Sequence, residues 1–285
     1  MTLFEALPAS GHIEARRLTI RLGEGDQAFD AVQAVDLDIV PGEFVCILGP
    51  SGCGKSTLLG ALAGHLSPHG GELQVDGAPV RGPDASRGMV FQHHTLLPWR
   101  RVLDNVAFGP KMRGVPKAER LRQARELLAQ VGLADFAERW PDQLSGGMQQ
   151  RAEIARVLIN QPRLLLMDEP FGALDAQTRA RMQELLLQLW ERIRTTVVFV
   201  THDIDEALFL ADRLLVMSPR PGRFIADLRL EFARPRQAEL LTSPDFVHLK
   251  RHCLELLRHE EGRQLPRLTP LGLPTSTHSP LRIAL

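Results

Sequence analysis

The sequence predicts an α/β fold with a mostly parallel sheet core. Three continuous apolar runs, EFVCILG at 43–49, RLLLMD at 163–168 and TTVVFVTH at 195–202, read as strands buried on both faces. Each is followed by a segment with helical character: STLLGALAGHL, the stretch 175–193 and the stretch from Asp203. Strands that alternate with helices imply parallel pairing. Ahead of them, alternating patterns at 13–22 and 33–39, joined by the Gly-rich turn GEGD, predict an antiparallel β subdomain.

The remaining elements complete this outline. ELQVDG reads as a short strand before the turn GAPVRGPDA, and MVFQ at 89–92 as another. From about 100 to 160, apolar residues recur at helical spacing, notably in AERLRQARELLAQVGL, so a mostly helical subdomain is inserted into the sheet. DRLLVMS is a fourth core strand. The expected organisation is one main domain over 13–230, a helical extension over 231–261 built on PDFVHLKRHCLELLRHE, and a disordered Pro- and Ser/Thr-rich tail over 262–285.

At 285 residues the chain can bury a sizeable core. Lys plus Arg and Asp plus Glu each total 34, and no basic face stands out, which argues against a nucleic-acid partner. Cys46, Cys53 and Cys253 form no CxxC pair, as in reduced cytosolic proteins. No secretion signal and no apolar stretch of about 20 residues is visible, so any membrane role is expected to run through a partner.

The chemistry begins at GPSGCGKST. Gly49, Pro50, Ser51, Gly52, Cys53, Gly54, Lys55 and Ser56 match GxxxxGK[ST], between a strand and a helix. With Thr57 they form a P-loop whose backbone N–H groups wrap phosphates; Lys55 reaches the β and γ oxygens and Ser56 ligates Mg²⁺. A thiol at a helix N-terminus, Cys53 is expected to be thiolate-prone. In RLLLMDEP, Asp168 at a strand end is expected to hold Mg²⁺ through water, and Glu169 to act as general base. ATP and Mg²⁺ are the cofactors these residues call for.

Three weaker candidates gain from this frame. Gln92, after the strand MVF, is placed to reach the metal or the water, although a lone Gln there is more often just exposed. His202 is placed to bond the γ-phosphate, against a purely structural strand-end His. Asp175 in GALD is a nucleotide-side candidate, against a plain helix N-cap. A second Ser-Gly motif, LSGGMQQR at 144–151, also precedes a helix and suits an anion.

In order, GPSGCGKST, the strand ending in Gln92, LSGGMQQR, LLLMDEP, GALD and THD resemble the ATPase subunit of ATP-binding cassette (ABC) transporters over about 13–230. The resemblance implies a P-loop NTPase fold and a head-to-tail homodimer, in which Ser145, Gly146 and Gly147 of one chain close over ATP held by the other. The family's adenine-stacking aromatic has no evident counterpart. The chain has no tyrosine; Leu22 stands near that place, and Phe29 in the adjoining turn is a candidate substitute that the sequence does not place.

Only 51 residues separate Gln92 from Leu144, which excludes the long coiled coils of DNA-repair cassettes. One cassette without a fused membrane domain leaves an importer subunit. GPDASRGMVFQHHTLLPWRRVLDNVAFG, DEPFGALDAQTR and THDIDEALFLADRLLVMSPRPGR resemble the taurine, aliphatic-sulfonate and nitrate importer group, the taurine importers most. The resemblance implies an integral membrane permease as partner, a periplasmic solute-binding protein indirectly, and a peripheral place on the cytoplasmic face of the cell membrane. LLPWR, with Trp99, reads as the docking segment rather than an internally packed loop. A soluble ATPase remodelling another complex stays open as the alternative.

Overall fold

The computed structural model describes residues 10–264, with side chains to residue 260. It contains two sheets. The first is antiparallel, ordered β2-β1-β4-β5, from β1 (Ile13–Leu22), β2 (Phe29–Ile39), β4 (Gly70–Val75) and β5 (Ala78–Pro79). The second has six strands: β3 (Phe44–Leu48), β6 (Arg87–Val90), β7 (Leu164–Asp168), β8 (Thr196–Thr201), β9 (Arg213–Met217) and β10 (Phe224–Arg229). They are ordered β10-β9-β3-β8-β7-β6, and all neighbours are parallel except β10 against β9. Strand β2 starts at Phe29, four residues before the alternation becomes legible, and β10 carries no sequence signal that separates it from a loop.

The continuous apolar runs are explained by a sheet covered twice. Along β3, Phe44, Cys46 and Leu48 enter one apolar cluster, and Val45 and Ile47 the other. Along β8, Val197 and Phe199 face the first cluster, Val198 and Val200 the second. The second cluster is closed by α1 (Lys55–Ala63) and the antiparallel sheet. The first is closed by α5 (Gly146–Leu158), α6 (Ala176–Ile193) and α7 (Ile204–Leu210), with the Phe199 ring tilted against both Phe44 and Phe171 at centroid distances of 6.3 and 5.7 Å. Such aromatic pairs are worth about 0.5–1.5 kcal/mol each beyond their burial.

Between β6 and β7 lie α2 (Val102–Val106), α3 (Phe108–Met112) and α4 (Lys117–Gln130), followed by α5; this is the inserted helical segment. The C-terminal helix α8 (Pro244–Gln264) is anchored by Phe246 and Cys253, both buried. It runs to Gln264, past the expected tail start at 262; the rest of that tail lies outside the described residues. Within LLPWR, Leu96 is buried while Trp99 is 69% exposed, so the segment both packs inward and offers a surface.

Candidate active site

Four adjacent parallel strands, β3, β8, β7 and β6, deliver their C-terminal ends to one edge of the sheet, where open α/β sheets bind ligands. The loop after β3 runs into α1 through Gly52 and Gly54, at φ +77° and +108°. At Gly54 a Cβ would stand 2.6 Å from the Ala31 carbonyl oxygen, so the residue is required by both conformation and space. A Cβ at Gly52 would meet nothing within 4 Å beyond its chain neighbours, which leaves that side of the loop open. The first N–H groups of α1 have no intrahelical acceptor and point the helix dipole at the opening.

Lys55 is buried, and its Nζ donates to the Gly49 and Pro50 carbonyls at 2.8 and 3.0 Å. It also lies 3.6 Å from Glu169 Oε1. Ser56 Oγ donates to Asp168 Oδ1 at 2.8 Å, joining α1 to the end of β7. Burial pushes the Asp168 carboxyl above the usual range; the Ser56 hydrogen bond pulls it down, while the Glu169 charge pushes it up. Glu169 takes φ +42°, a rare conformation for a residue with a side chain, held by its N–H to Val200 O at 3.0 Å. Its Oε2 is 2.8 Å from His202 Nδ1; that hydrogen bond requires the proton on Nδ1.

A cavity of about 320 Å³ gathers Ser51, Gly52, Gly54, Lys55, Ser56, Thr57, Gln92 and Glu169 with Leu22, Phe29, Ala31 and Arg220. Phe29 is the aromatic residue of its lining, and the Arg220 guanidinium sits 4.3 Å from the ring centroid. Sequence reasoning missed Arg220, since SPRPGR reads as a turn and nothing in it marks a partner for Phe29. His202 lies beside Glu169, 56% exposed.

Asp175, Ser145, Gly146 and Gly147 stand apart from this cavity. Asp175 caps α6, accepting from Thr178 N at 3.0 Å, and that hydrogen bond lowers its carboxyl below the usual range. Ser145 caps α5, accepting from Met148 N at 3.4 Å. A Cβ at Gly147 would come 2.6 Å from Thr178 Cγ2, whereas one at Gly146 meets only ordinary contacts. Gly147 therefore has an intrachain reason, and Gly146 does not.

The structure corrects the reading of Cys53. Its side chain is 1% exposed, and burial pushes the thiol up even though the Lys55 charge pulls it down. Its Sγ is 2.9 Å from where a Cβ on Gly49 would stand, so it faces inward beneath the loop. Helix position alone favoured a thiolate; desolvation outweighs it.

The family model described as ABC transporter matches residues 32–172. A taurine import ATP-binding protein of Chromobacterium violaceum is 50% identical over 247 residues, 85% of this chain and 94% of that one. An uncharacterised ABC transporter ATP-binding protein of Methanocaldococcus jannaschii is 47% identical over 82% of this chain and 87% of its own. Two solved dimers of an ATP-binding cassette, one described as a post-hydrolysis state bound to ADP and Pi, are 35% and 33% identical. Each covers 78% of this chain and 100% of its own, with TM-scores of 0.69 and 0.68. With identities near one half over most of its length, the chain belongs to the ATP-binding subunits of the ABC transporter family.

Proposed function

We propose that the chain hydrolyses ATP to energise uptake of taurine or a related sulfonate through a separate membrane permease. The observation that carries the hydrolytic part is the meeting of Lys55, Ser56, Gln92 and Glu169 around one cavity, with Asp168 bonded to Ser56 and His202 to Glu169. The substrate reading is supported by the 50% identity to a taurine import ATP-binding protein over 94% of its length.

In this reading the Lys55 ammonium, buried against two carbonyls, transfers its N–H donors to phosphate oxygens, helped by the N–H groups opening α1. Glu169 accepts a proton from the water whose oxygen attacks the γ-phosphorus, and ADP leaves with the bridging oxygen. His202 holds the Glu169 carboxylate by its second oxygen, and Gln92 orients the water from the neighbouring strand. Phe29 offers its ring to the adenine. The donor set fits magnesium: Ser56 Oγ and Asp168 Oδ1 are hard oxygens already 2.8 Å apart, and burial leaves the Asp168 charge in want of a cation. When bound, the ion would neutralise charge developing on the phosphates.

Two chains pair head to tail, so that Ser145, Gly146 and Gly147 of one close on the nucleotide of the other, with Asp175 at the same junction. None of residues 144–151 lines the cavity of its own chain, as this pairing requires. Among the described residues no helix is long and apolar enough to cross a membrane. In this reading the subunit docks on its permease at the cytoplasmic face, with the exposed Trp99 on the permease side. A periplasmic solute-binding protein supplies the cargo.

Reconstitution of the full chain with its permease and binding protein in liposomes tests the assignment. Labelled taurine should accumulate only with internal ATP, and aliphatic sulfonates should compete. Uptake of nitrate with no response to taurine would overturn the substrate reading and leave the ATPase reading standing.

A further inference from the structure

Gln92 stands on a short segment, Phe91–His94, that is exposed between two fixed points. One is Val90, buried at the end of β6. The other is Thr95, and its attachment is unusual. The carboxylate of Glu153, on the helix that Ser145 caps, accepts both the backbone N–H and the hydroxyl of Thr95 through a single oxygen, Oε1. Arg156, one turn further along α5, donates from Nη1 to the Thr95 carbonyl at 2.8 Å and from Nη2 to the Thr95 hydroxyl oxygen. Every polar group of Thr95 is thus held by one helix.

The choice of a carboxylate needs a reason. Glu153 is 1% exposed, and a buried charge is costly unless it is hydrogen-bonded and paired. The next stretch of the same loop is anchored without charge: Asn105 on α2 accepts from Leu97 N at 2.7 Å and donates to the Leu97, Arg100 and Arg101 carbonyls. A neutral amide therefore suffices for anchoring alone. What the carboxylate adds is strength, since charge-assisted hydrogen bonds are roughly twice as strong as neutral ones. It adds a second oxygen as well. Oε2 makes no hydrogen bond and lies 3.4 Å from His94 Nδ1, on the very segment that bears Gln92. His94 Nε2 in turn lies 3.9 Å from where a Cβ on Gly146 would stand, so the segment and the Ser-Gly end of α5 are neighbours.

We propose that Glu153 is a positioning residue that ties the Gln92 segment to α5, so that Gln92 in one ATP site and Ser145, serving the other site, move as one unit. This rests on the ATPase and dimer reading above. It makes each site sense the nucleotide held by its neighbour through a path four side chains long: Gln92, Thr95, Glu153 and, by way of the helix, Ser145.

A double-mutant cycle on the full chain tests it. Glu153→Ala should lower kcat roughly tenfold, with MgADP affinity unchanged, because a charge-assisted bond to the sensor segment is lost and the P-loop is not. Glu153→Gln, which still offers Thr95 an oxygen, should recover to within about threefold of wild type. In a Gln92→Ala background the further loss from Glu153→Ala should shrink to less than about twofold, because both act through one element. Multiplying effects, or a lowered Tm with unchanged kcat at permissive temperature, would mean a plain structural anchor and overturn the proposal. Hydrogen exchange gives a readout that needs no hydrolysis. Amides of 92–97 should exchange faster in Glu153→Ala while those of β6 and α5 keep their protection; unchanged exchange there overturns the tie even if the chain proves not to be an ATPase.

Discussion

Glu169 Oε2 lies 2.8 Å from His202 Nδ1, while Lys55 Nζ stands 3.6 Å from Oε1 of the same carboxylate. One side chain thereby joins the ends of three neighbouring strands and faces the cavity from a strained backbone. Replacing it with glutamine keeps the shape and the histidine contact but removes the proton acceptor. Glu169→Gln should bind ATP normally, lose hydrolysis by roughly 10²-fold or more, and accumulate as an ATP-bound dimer on sizing chromatography. Near-normal turnover would mean that another group takes the proton.

The dimer reading is tested by linking two copies covalently, with Lys55→Ala in one and Ser145→Arg in the other. If Ser145 acts in trans, both lesions fall in one site and the second remains whole. A linked dimer with both lesions in one copy damages both sites. Hydrolysis should survive in the first and vanish in the second, and the opposite pattern would assign Ser145 to its own chain's nucleotide.

The burial of Cys53 makes a prediction about reactivity. All three cysteines are buried, so a thiol titration of the native chain should register essentially none before denaturant is added. Maleimide should leave ATPase activity intact on the time scale that labels an exposed cysteine, with or without MgATP. Rapid labelling that Cys53→Ala abolishes would show that the loop opens far more readily than its packing implies.

Asp168 ties function to stability. Its carboxyl is raised in the folded chain, so the folded state holds the proton more tightly than the unfolded one. Ionised Asp168 therefore costs stability above its folded pKa, and the cost is relieved as pH falls through it. Asp168→Asn keeps an acceptor for Ser56 and removes that charge. Without nucleotide it should raise Tm by roughly 2 °C at pH 7, an increment that fades at acid pH, while Mg²⁺-dependent hydrolysis falls at least about tenfold. A lowered Tm would mean that the charge stabilises the fold.

The parts of the site that were legible in the sequence are those where chemistry dictates residue type and place. Lys55 and Ser56 open a helix after a buried run, and Asp168 and Glu169 end another; these positions need no knowledge of packing. Phe29 was harder, because its aromatic role depends on where β2 begins and on a distant turn that brings Arg220 over the ring. Cys53 was misread because helix position is written in the sequence and solvent access is not. The second glycine of LSGG was credited to a phosphate, whereas Gly147 also makes room for Thr178 of the same chain, thirty-one positions on. The tie from Glu153 to Thr95 has no local signal at all: a Glu inside a helix reads as a solvated face until its partners are seen.

The strand order has a metric consequence. Neighbouring strands sit about 4.7–4.9 Å apart, so the three gaps from β3 through β8 and β7 to β6 set a baseline of roughly 14 Å between the end of β3 and the end of β6. The sheet works as a ruler of strand ends, with β3 leading into the phosphate loop, β8 into His202, β7 into Glu169 and β6 into Gln92. Residues added to the β4–β5 turn or beyond α8 leave the graduations untouched. A single residue inserted into β7 shifts the register by one and turns its side chains to opposite faces, sending Asp168 away from Ser56. Loops and helices of this subunit are thus free to change with the partner it drives, while the five-residue strand β7 has no length to spare.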